Sequence, residues 1–318
     1  MSDNDFPFDT SLVITGPFRS PKQMLESQKY DGHESIHDDS MAEKLGFKGA
    51  PIEGPTHFSQ FEPLLVSLWG KRFYENGCIS AHFRNMVIEG EEVKASVKLP
   101  AQALADIRQI RMSAEKKDGS LVLDGTASVG PDNPESELDG RISRLRKPGK
   151  LVILRDIKVG DTGASVERVA MDFNQHLGSM YPFTLAEKLE KITERCSWHR
   201  KETGGGSPWG RAIIPFEMIS VLAYCTAEKA QWKVRTPNVG LFADLEIRMI
   251  EGPVFVGERY VVEREVIALS ESPRTESLWT QTLIRHEKSG KAIARAVLNH
   301  ALVKDSFPGY KEESCKFE

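Results

Sequence analysis

The chain has 318 residues, and 42 Lys and Arg against 46 Asp and Glu give it a formal net charge of −4 at pH 7. A protein that grips nucleic acid mainly through its phosphates carries excess positive charge, so this balance argues against that class. Apolar residues make up 40% of the chain and charged residues 28%, which is ordinary globular composition. The length favours two domains, and disorder, collagen and coiled coil are excluded.

The cysteines and the N-terminus favour a cytoplasmic protein. Cys78, Cys196, Cys225 and Cys315 are far apart and form no C-x-x-C pair, which suits a reducing compartment. The N-terminus is acidic where a secretory signal is basic and then apolar, and no run of apolar residues is long enough to span a membrane. We therefore expect no membrane and no nucleic-acid partner.

In the first half, a strand is predicted over residues 11–16 and a short helix over 40–45, which Gly46 closes. The strongly apolar segment 58–69 predicts a buried helix, since its length and its Leu and Phe content suit a helix better than a strand. Four strands are then predicted at about residues 78–87, 92–99, 107–115 and 120–129.

The second half repeats this order of elements. Strands are predicted over 151–157 and 164–169, a helix over 185–194, an apolar helix over 216–230, and four strands over 241–250, 259–269, 277–286 and 292–303. Before the apolar helix, Gly204-Gly205-Gly206 lacks the Lys-Ser/Thr of a phosphate-binding loop and is interpreted as a flexible lid or a linker.

The repeated order indicates an internal duplication. The turn Ile88-Glu89-Gly90 recurs as Ile250-Glu251-Gly252, at a similar distance from the proline that precedes each apolar helix. A helix followed by a meander of strands, without βαβ alternation, predicts an α+β fold in which each half is an antiparallel sheet wrapped around a central helix. We expect domains at 1–130 and 151–318, a linker at 131–150, and sheets joined edge to edge or back to back.

Residues 31–39 are the best candidate for a site, because they combine two histidines with several acids. One interpretation is a zinc-dependent hydrolase, since His33-Glu34-Ser35-Ile36-His37 satisfies H-E-x-x-H, in which two histidines bind the metal and the glutamate activates water. The context is poor for it, because Gly32 and the acids that follow do not suit a buried helix.

A second interpretation is metal-free general acid–base chemistry by Asp31 and His37. The amides at the start of the central helix, in Gly54-Pro55-Thr56-His57, could then polarise a substrate carbonyl. A third interpretation is structural, in which Asp38, Asp39 or Ser40 merely caps the helix that follows.

This region resembles the MaoC-like (R)-specific enoyl-CoA hydratases and dehydratases, which have a hotdog fold. The residues that carry the resemblance are His37, Asp39, Ala42, Gly46-Phe47, Pro51-Ile52 and Gly54, followed by the apolar helix and the turn at Glu89-Gly90. It implies a double hotdog fold, an enoyl or 3-hydroxyacyl thioester of coenzyme A as substrate, and no separate cofactor. By the same resemblance, Asp31 and His37 activate water, while Gly54, Thr56 and His57 hold the substrate.

The motif is degenerate. Asp31 lies six residues before His37 where the family has five, and Gly54-Pro55 stands where the family has His-Gly. Proline has no N–H, so the contact to the substrate carbonyl falls to Thr56 or His57. A non-catalytic acyl-CoA-binding or scaffold subunit is therefore a further alternative, and exposed sheet edges favour a homodimer.

Overall fold

The structure, a computed structural model, describes residues 11–29, 35–37, 39–44, 46, 48–100, 107–131 and 134–315. In its first half the elements are β1 (Leu12–Thr15), α1 (Asp39–Lys44), a 3₁₀ turn (Gly54–His57), α2 (Phe58–Trp69), α3 (Arg72–Asn76), β2 (Gly77–Phe83), β3 (Val93–Leu99), β4 (Gln109–Lys116) and β5 (Leu121–Val129).

The second half begins with α4 (Glu137–Ser143), β6 (Glu167–Ala170), α5 (Leu185–Lys191), two 3₁₀ turns (Ser197–His199 and Gly204–Gly206), α6 (Met218–Tyr224) and a further 3₁₀ turn (Ala227–Ala230). It continues with β7 (Gly240–Met249), β8 (Arg259–Glu271), β9 (Thr275–His286), β10 (Ala292–Val303), a 3₁₀ turn (Lys304–Ser306) and α7 (Tyr310–Ser314).

These strands form one antiparallel sheet in the order β1-β3-β4-β5-β2-β7-β10-β9-β8-β6. The two halves join where β2 pairs with β7, with Ile79 opposite Ile247 and Ala81 opposite Leu245. Of the two predicted arrangements, the structure therefore has the edge-to-edge one. Among the described residues, no helix is long and apolar enough to cross a membrane.

Each half wraps its part of the sheet around a buried central helix. Most side chains of α2 are buried, and so are all seven of α6. A helix without a polar face needs cover on every side, and here the sheet and the neighbouring helical segments provide it. Phe73 and Phe216 stack with ring centroids 4.6 Å apart, which packs the two halves against each other beside these helices.

The predicted strand over 151–157 is wrong. The segment forms turns, because the carboxylate of Glu276 accepts hydrogen bonds from the amides of Val152 (2.7 Å) and Leu154 (2.9 Å). The apolar helix predicted over 216–230 is shorter than expected and ends at Tyr224. Residues 137–143, within the predicted linker, form α4, which begins with a capping box between Ser136 and Asp139.

The glycine-rich loop is a packed 3₁₀ turn. A Cβ on Gly204 would lie 2.5 Å from the Cβ of Ala212 and 2.7 Å from its Cα, whereas Gly205 and Gly206 have open space at that position. We therefore expect Gly204→Ala to lower the free energy of unfolding by about 1–3 kcal/mol. Gly205→Ala and Gly206→Ala are matched controls, and urea denaturation should show little change for either. Equal effects at all three positions would contradict this account.

Candidate active site

A cavity of about 360 Å³ lies where the two halves meet. The first half contributes His37, Gly54 and His57 to its lining, and the second half contributes β7 and β10 residues such as Phe242 and His300. A pocket with apolar walls and a few convergent polar groups is the usual form of a small-molecule site. Three of the five residues predicted for the site thus border one cavity.

The His37 side chain is fixed by the loop that carries it. Its Nδ1 lies 2.7 Å from the carbonyl oxygen of Pro51, and its backbone N–H donates to the Ser35 hydroxyl at 3.1 Å. A carbonyl only accepts hydrogen bonds, so Nδ1 carries the proton and Nε2 holds the lone pair. Burial lowers the pKa of His37 to about 4, although the bond to Pro51 opposes the shift. His37 is therefore neutral at pH 7.

The loop of His37 is also tied to the second half of the chain. Ser35 donates to the side chain of Gln28 at 2.5 Å, and the amide nitrogen of Gln28 donates to the backbone oxygen of Met180 at 2.8 Å. The N-terminal loop therefore crosses from one half to the other. These contacts leave the His37 imidazole little freedom to turn away from the cavity.

The 3₁₀ turn before α2 brings backbone to the cavity. Gly54 lines it at the first position of the turn, where helical geometry leaves amides without an intrahelical acceptor. A Cβ at Gly54 would lie 3.0 Å from the Phe83 ring, so a larger residue here would require the ring to shift. His57 is buried and lines the same cavity, and its Nδ1 has no hydrogen-bond partner among the described residues.

Thr56 plays a different part from the predicted substrate contact. Its hydroxyl accepts a hydrogen bond from Nζ of Lys188 at 2.9 Å, and Thr56 does not line the cavity. Burial lowers the pKa of His57 to about 4, and the charge of Lys188 adds to this shift. His37 and His57 are therefore both neutral near pH 7.

A buried charged cluster lies beneath the turn and was not predicted from the sequence. Lys188 of α5 lies 3.4 Å from Glu217 and 3.8 Å from Glu53, and all three side chains are buried. Burial raises the pKa of Glu217 to about 7, against the opposing charge of Lys188. The sequence held a signal for Lys188, because it occupies the buried face of α5 with Leu185 and Leu189, where an apolar residue is expected.

Asp31, His33 and Glu34 lie outside the described residues. The proposed Asp31–His37 pair and the zinc motif are therefore predictions that the structure does not test. His37 itself lies in a turn before α1, whereas H-E-x-x-H binds zinc from one helical face. Within the part of the chain that the structure describes, no group of three or more His, Cys, Asp or Glu side chains is arranged to hold a metal.

A second cavity, of about 280 Å³, lies on the inner face of the sheet in the second half. It adjoins the first cavity. Tyr224, Leu298 and His300 border both cavities. The second cavity continues towards Arg264 and Thr280, on the inner face of β8 and β9. The two cavities share part of their walls, with His37 and His57 in the lining of the first and Arg264 in the lining of the second.

Sequence comparisons identify no relative. No protein-family model matches the chain, and a search of curated proteins found no significant match.

Comparison of structures does find similar chains. One is described as a candidate MaoC domain protein dehydratase from Chloroflexus aurantiacus J-10-fl, with 16% identity over 93% of this chain and 95% of the other and a TM-score of 0.58. Another is a conserved hypothetical protein of Mycobacterium tuberculosis with a double hotdog fold, with 12% identity over 93% and 97% and a TM-score of 0.56. The predicted fold is confirmed: the chain has a double hotdog fold and resembles a MaoC domain protein in structure.

Proposed function

We propose that the chain is a MaoC-like hydratase or dehydratase that acts on an enoyl or 3-hydroxyacyl thioester of coenzyme A. The observation that carries this proposal is the cavity between the halves, with neutral His37 and the Gly54–His57 turn in its lining. A hydratase needs a proton acceptor for water and a polar contact for the thioester carbonyl, and these two features supply both. The similar fold of a candidate MaoC domain dehydratase supports the same class.

The chemistry requires no oxidation or reduction. As water attacks Cβ of the enoyl group, Nε2 of His37 accepts a proton from it, and the imidazolium formed in this way delivers that proton to Cα and returns to its neutral form. The product is the 3-hydroxyacyl thioester, and dehydration is the reverse. In place of the expected contact from Thr56 or His57, the Gly54 amide holds the carbonyl oxygen while negative charge develops on it, since the Thr56 amide donates to the backbone oxygen of Glu53 at 3.1 Å. Asp31, predicted from the resemblance, is the proposed partner of His37 in moving the proton.

The burial of His37 has a consequence for this chemistry. A pKa of about 4 makes its imidazole a weaker base than an exposed one, but keeps it unprotonated throughout the neutral range. His57 has a similarly low pKa and lines the same cavity. Neither imidazole therefore carries a positive charge at neutral pH. The hydration reaction can then begin from one protonation state over a wide range of pH.

The direct test is an assay of the full chain with trans-2-enoyl-CoA substrates of increasing chain length, beginning with crotonyl-CoA. We expect the absorbance of the conjugated double bond to disappear, and (R)-3-hydroxyacyl-CoA to be dehydrated in the reverse assay. Binding of saturated acyl-CoA without any turnover would establish the alternative of a non-catalytic acyl-CoA-binding subunit. Absence of both binding and turnover would overturn the proposed function.

A further inference from the structure

An arginine lies on the inner, apolar face of β8. Along this strand Tyr260, Val262, Arg264 and Val266 alternate with more exposed residues, and all four are buried. The period of two places these side chains on the face that covers α6. Arg264 is 4% exposed, although arginine is almost never buried without a partner.

Its charge has no ion-pair partner among the described residues. The Nη2 group donates to the backbone oxygen of Ala223 (2.7 Å) and to the hydroxyl of Thr226 (2.8 Å), both at the end of α6. The acid that acts on Arg264 from nearby, Glu167, is held instead by Ser165 and by Lys229 at 3.5 Å. Burial removes water from the charged guanidinium and so lowers the pKa of Arg264.

Three polar atoms around this position lack hydrogen-bond partners within the described part of the chain. They are Nε of Arg264, the hydroxyl of Tyr224 and the hydroxyl of Thr282, which faces Arg264 across the β8–β9 ladder. All three can donate a hydrogen bond. Buried polar groups are nearly always satisfied, and of these three only Arg264 and Tyr224 line the cavity, so their donors beside an unpaired positive charge suit an oxyanion.

Arg264 and Tyr224 line the second cavity, which adjoins the cavity of His37. The rest of its lining is mixed: Leu278, Leu298 and Leu302 are among the apolar residues, and the polar residues include Glu228, whose side chain is exposed. The leucine side chains suit an acyl chain better than the sugar and phosphates of a nucleotide. A chain whose thioester lies beside His37 would extend along them towards Arg264.

We propose that Arg264 binds a carboxylate at the far end of the acyl chain, so that the substrates are monothioesters of dicarboxylic acids. This inference rests on the proposed function and names its substrate class. The thioester end reacts at His37 in the first cavity, and the free acid end is held by Arg264 and Tyr224 in the second.

The first experiment compares two substrates on the unmodified protein. trans-2-Hexenedioyl-CoA, which ends in a carboxylate, should have a kcat/KM about 10- to 100-fold above that of trans-2-hexenoyl-CoA, which ends in a methyl group, since a hydrogen-bonded charge contributes on that scale. Equal values, or a preference for the methyl-ended chain, would overturn the carboxylate proposal and leave the proposed function standing.

The second experiment measures binding without turnover. Adipoyl-CoA and hexanoyl-CoA have no double bond to hydrate, and their dissociation constants are compared by calorimetry for the wild type, Arg264→Met and Arg264→Lys. Arg264→Met should remove most of the preference for adipoyl-CoA, and Arg264→Lys should retain part of it. An unchanged preference in Arg264→Met would contradict the proposal.

Arg285→Met is the matched control. Arg285 lies on β9, is partly exposed and pairs with Glu263 at 3.1 Å, so its replacement should leave the preference unchanged. If Arg264→Met does not fold, Tyr224→Phe removes one donor from the same cavity, and the wild-type comparison needs no variant at all. Loss of preference in Arg285→Met as well would show that the effect is not specific to Arg264.

The anion could instead come from the nucleotide of coenzyme A. Adenosine 3′,5′-bisphosphate tests this source: binding that Arg264→Met abolishes would assign the site to phosphate and overturn the carboxylate proposal. If adipoyl-CoA binds through Arg264 and no enoyl-CoA is hydrated, the carboxylate site survives and the hydratase function fails. The two proposals can therefore fail separately.

Discussion

Replacement of His37 by alanine should lower kcat for enoyl-CoA hydration by about 10²- to 10⁴-fold, the usual contribution of one general acid–base group. The expectation follows from the bond between Nδ1 and the Pro51 carbonyl, which leaves Nε2 as the proton acceptor beside the cavity. The measurement is steady-state hydration of crotonyl-CoA and longer enoyl-CoA, with circular dichroism to show that the variant is folded.

His176→Ala is the matched control for this variant. His176 occupies the corresponding region of the second half, is exposed, and does not line the cavity. Its replacement should leave kcat near the wild-type value. If His37→Ala is folded and as active as His176→Ala, then His37 is not the base, and the assignment of the proton-transfer step to His37 is wrong.

The pH dependence gives a second check on His37. Its pKa of about 4 lies below the ordinary value of 6.5, so the neutral, proton-accepting form persists as the pH falls through 6.5. We expect kcat/KM to stay level through that region and to fall only near pH 4. A fall centred near 6.5 would indicate a base with an ordinary pKa and would contradict the assignment of His37 as that base.

Replacement of Glu62 by alanine should have the largest effect on stability, a loss of about 3–5 kcal/mol in the free energy of unfolding. Glu62, on α2, accepts hydrogen bonds from the hydroxyl of Tyr74 (2.8 Å), from Nε2 of His199 (3.0 Å) and from the amide of Phe216 (2.5 Å). Without the carboxylate, an imidazolium and a backbone amide just before α6 are buried without their partner.

The pH dependence of stability identifies this interaction. Burial is the largest single influence on His199 and opposes its charge, but the charge of Glu62 and the hydrogen bonds to Cys196 and Glu62 together raise its pKa to about 10. In the unfolded chain the pKa is near 6.5, so the native state binds more protons between these values. The contribution of His199 is therefore fully present below pH 6.5 and is lost as the pH rises towards 10.

Urea denaturation of the wild type and Glu62→Ala at several pH values between about 7 and 9.5 measures both effects, since unfolding free energies are read from the same linear extrapolation. The difference between the two proteins should shrink as the pH rises. Glu92→Ala is the control, because the exposed pair of Glu92 with Lys117 should contribute little. A difference between wild type and Glu62→Ala below about 1 kcal/mol would show that the pair is not structurally important.

The sheet and the first central helix could be predicted from sequence because each has a strong local pattern. The strand predicted over 241–250 and the apolar run of α2 depend on few distant contacts, and both lie where they were expected. The segment 151–157 could not be predicted in the same way. Its amides donate hydrogen bonds to Glu276, which lies more than a hundred residues further along the chain. The sequence near residues 151–157 gives no sign of that contact.

The candidate site was predictable only in part, for the same reason. His37, Gly54 and His57 lie close together in sequence, and the structure places them around one cavity. Lys188 and Arg264 belong to the other half, and each looked like an ordinary charged residue of a helix or a strand. Their significance comes from burial, which depends on how the halves pack. Their positions on apolar faces were the only signal in the sequence.

The pairing of β2 with β7 builds the pocket from two halves of one chain whose residues can change independently. A symmetric pair of identical subunits must build both ends of every pocket from the same gene segment, so a change at one end is copied to the other. In this single chain the first half supplies the reactive end and the second half supplies the wall around Arg264. Selection could therefore alter which acyl chains are accepted while the residues that handle water remain untouched.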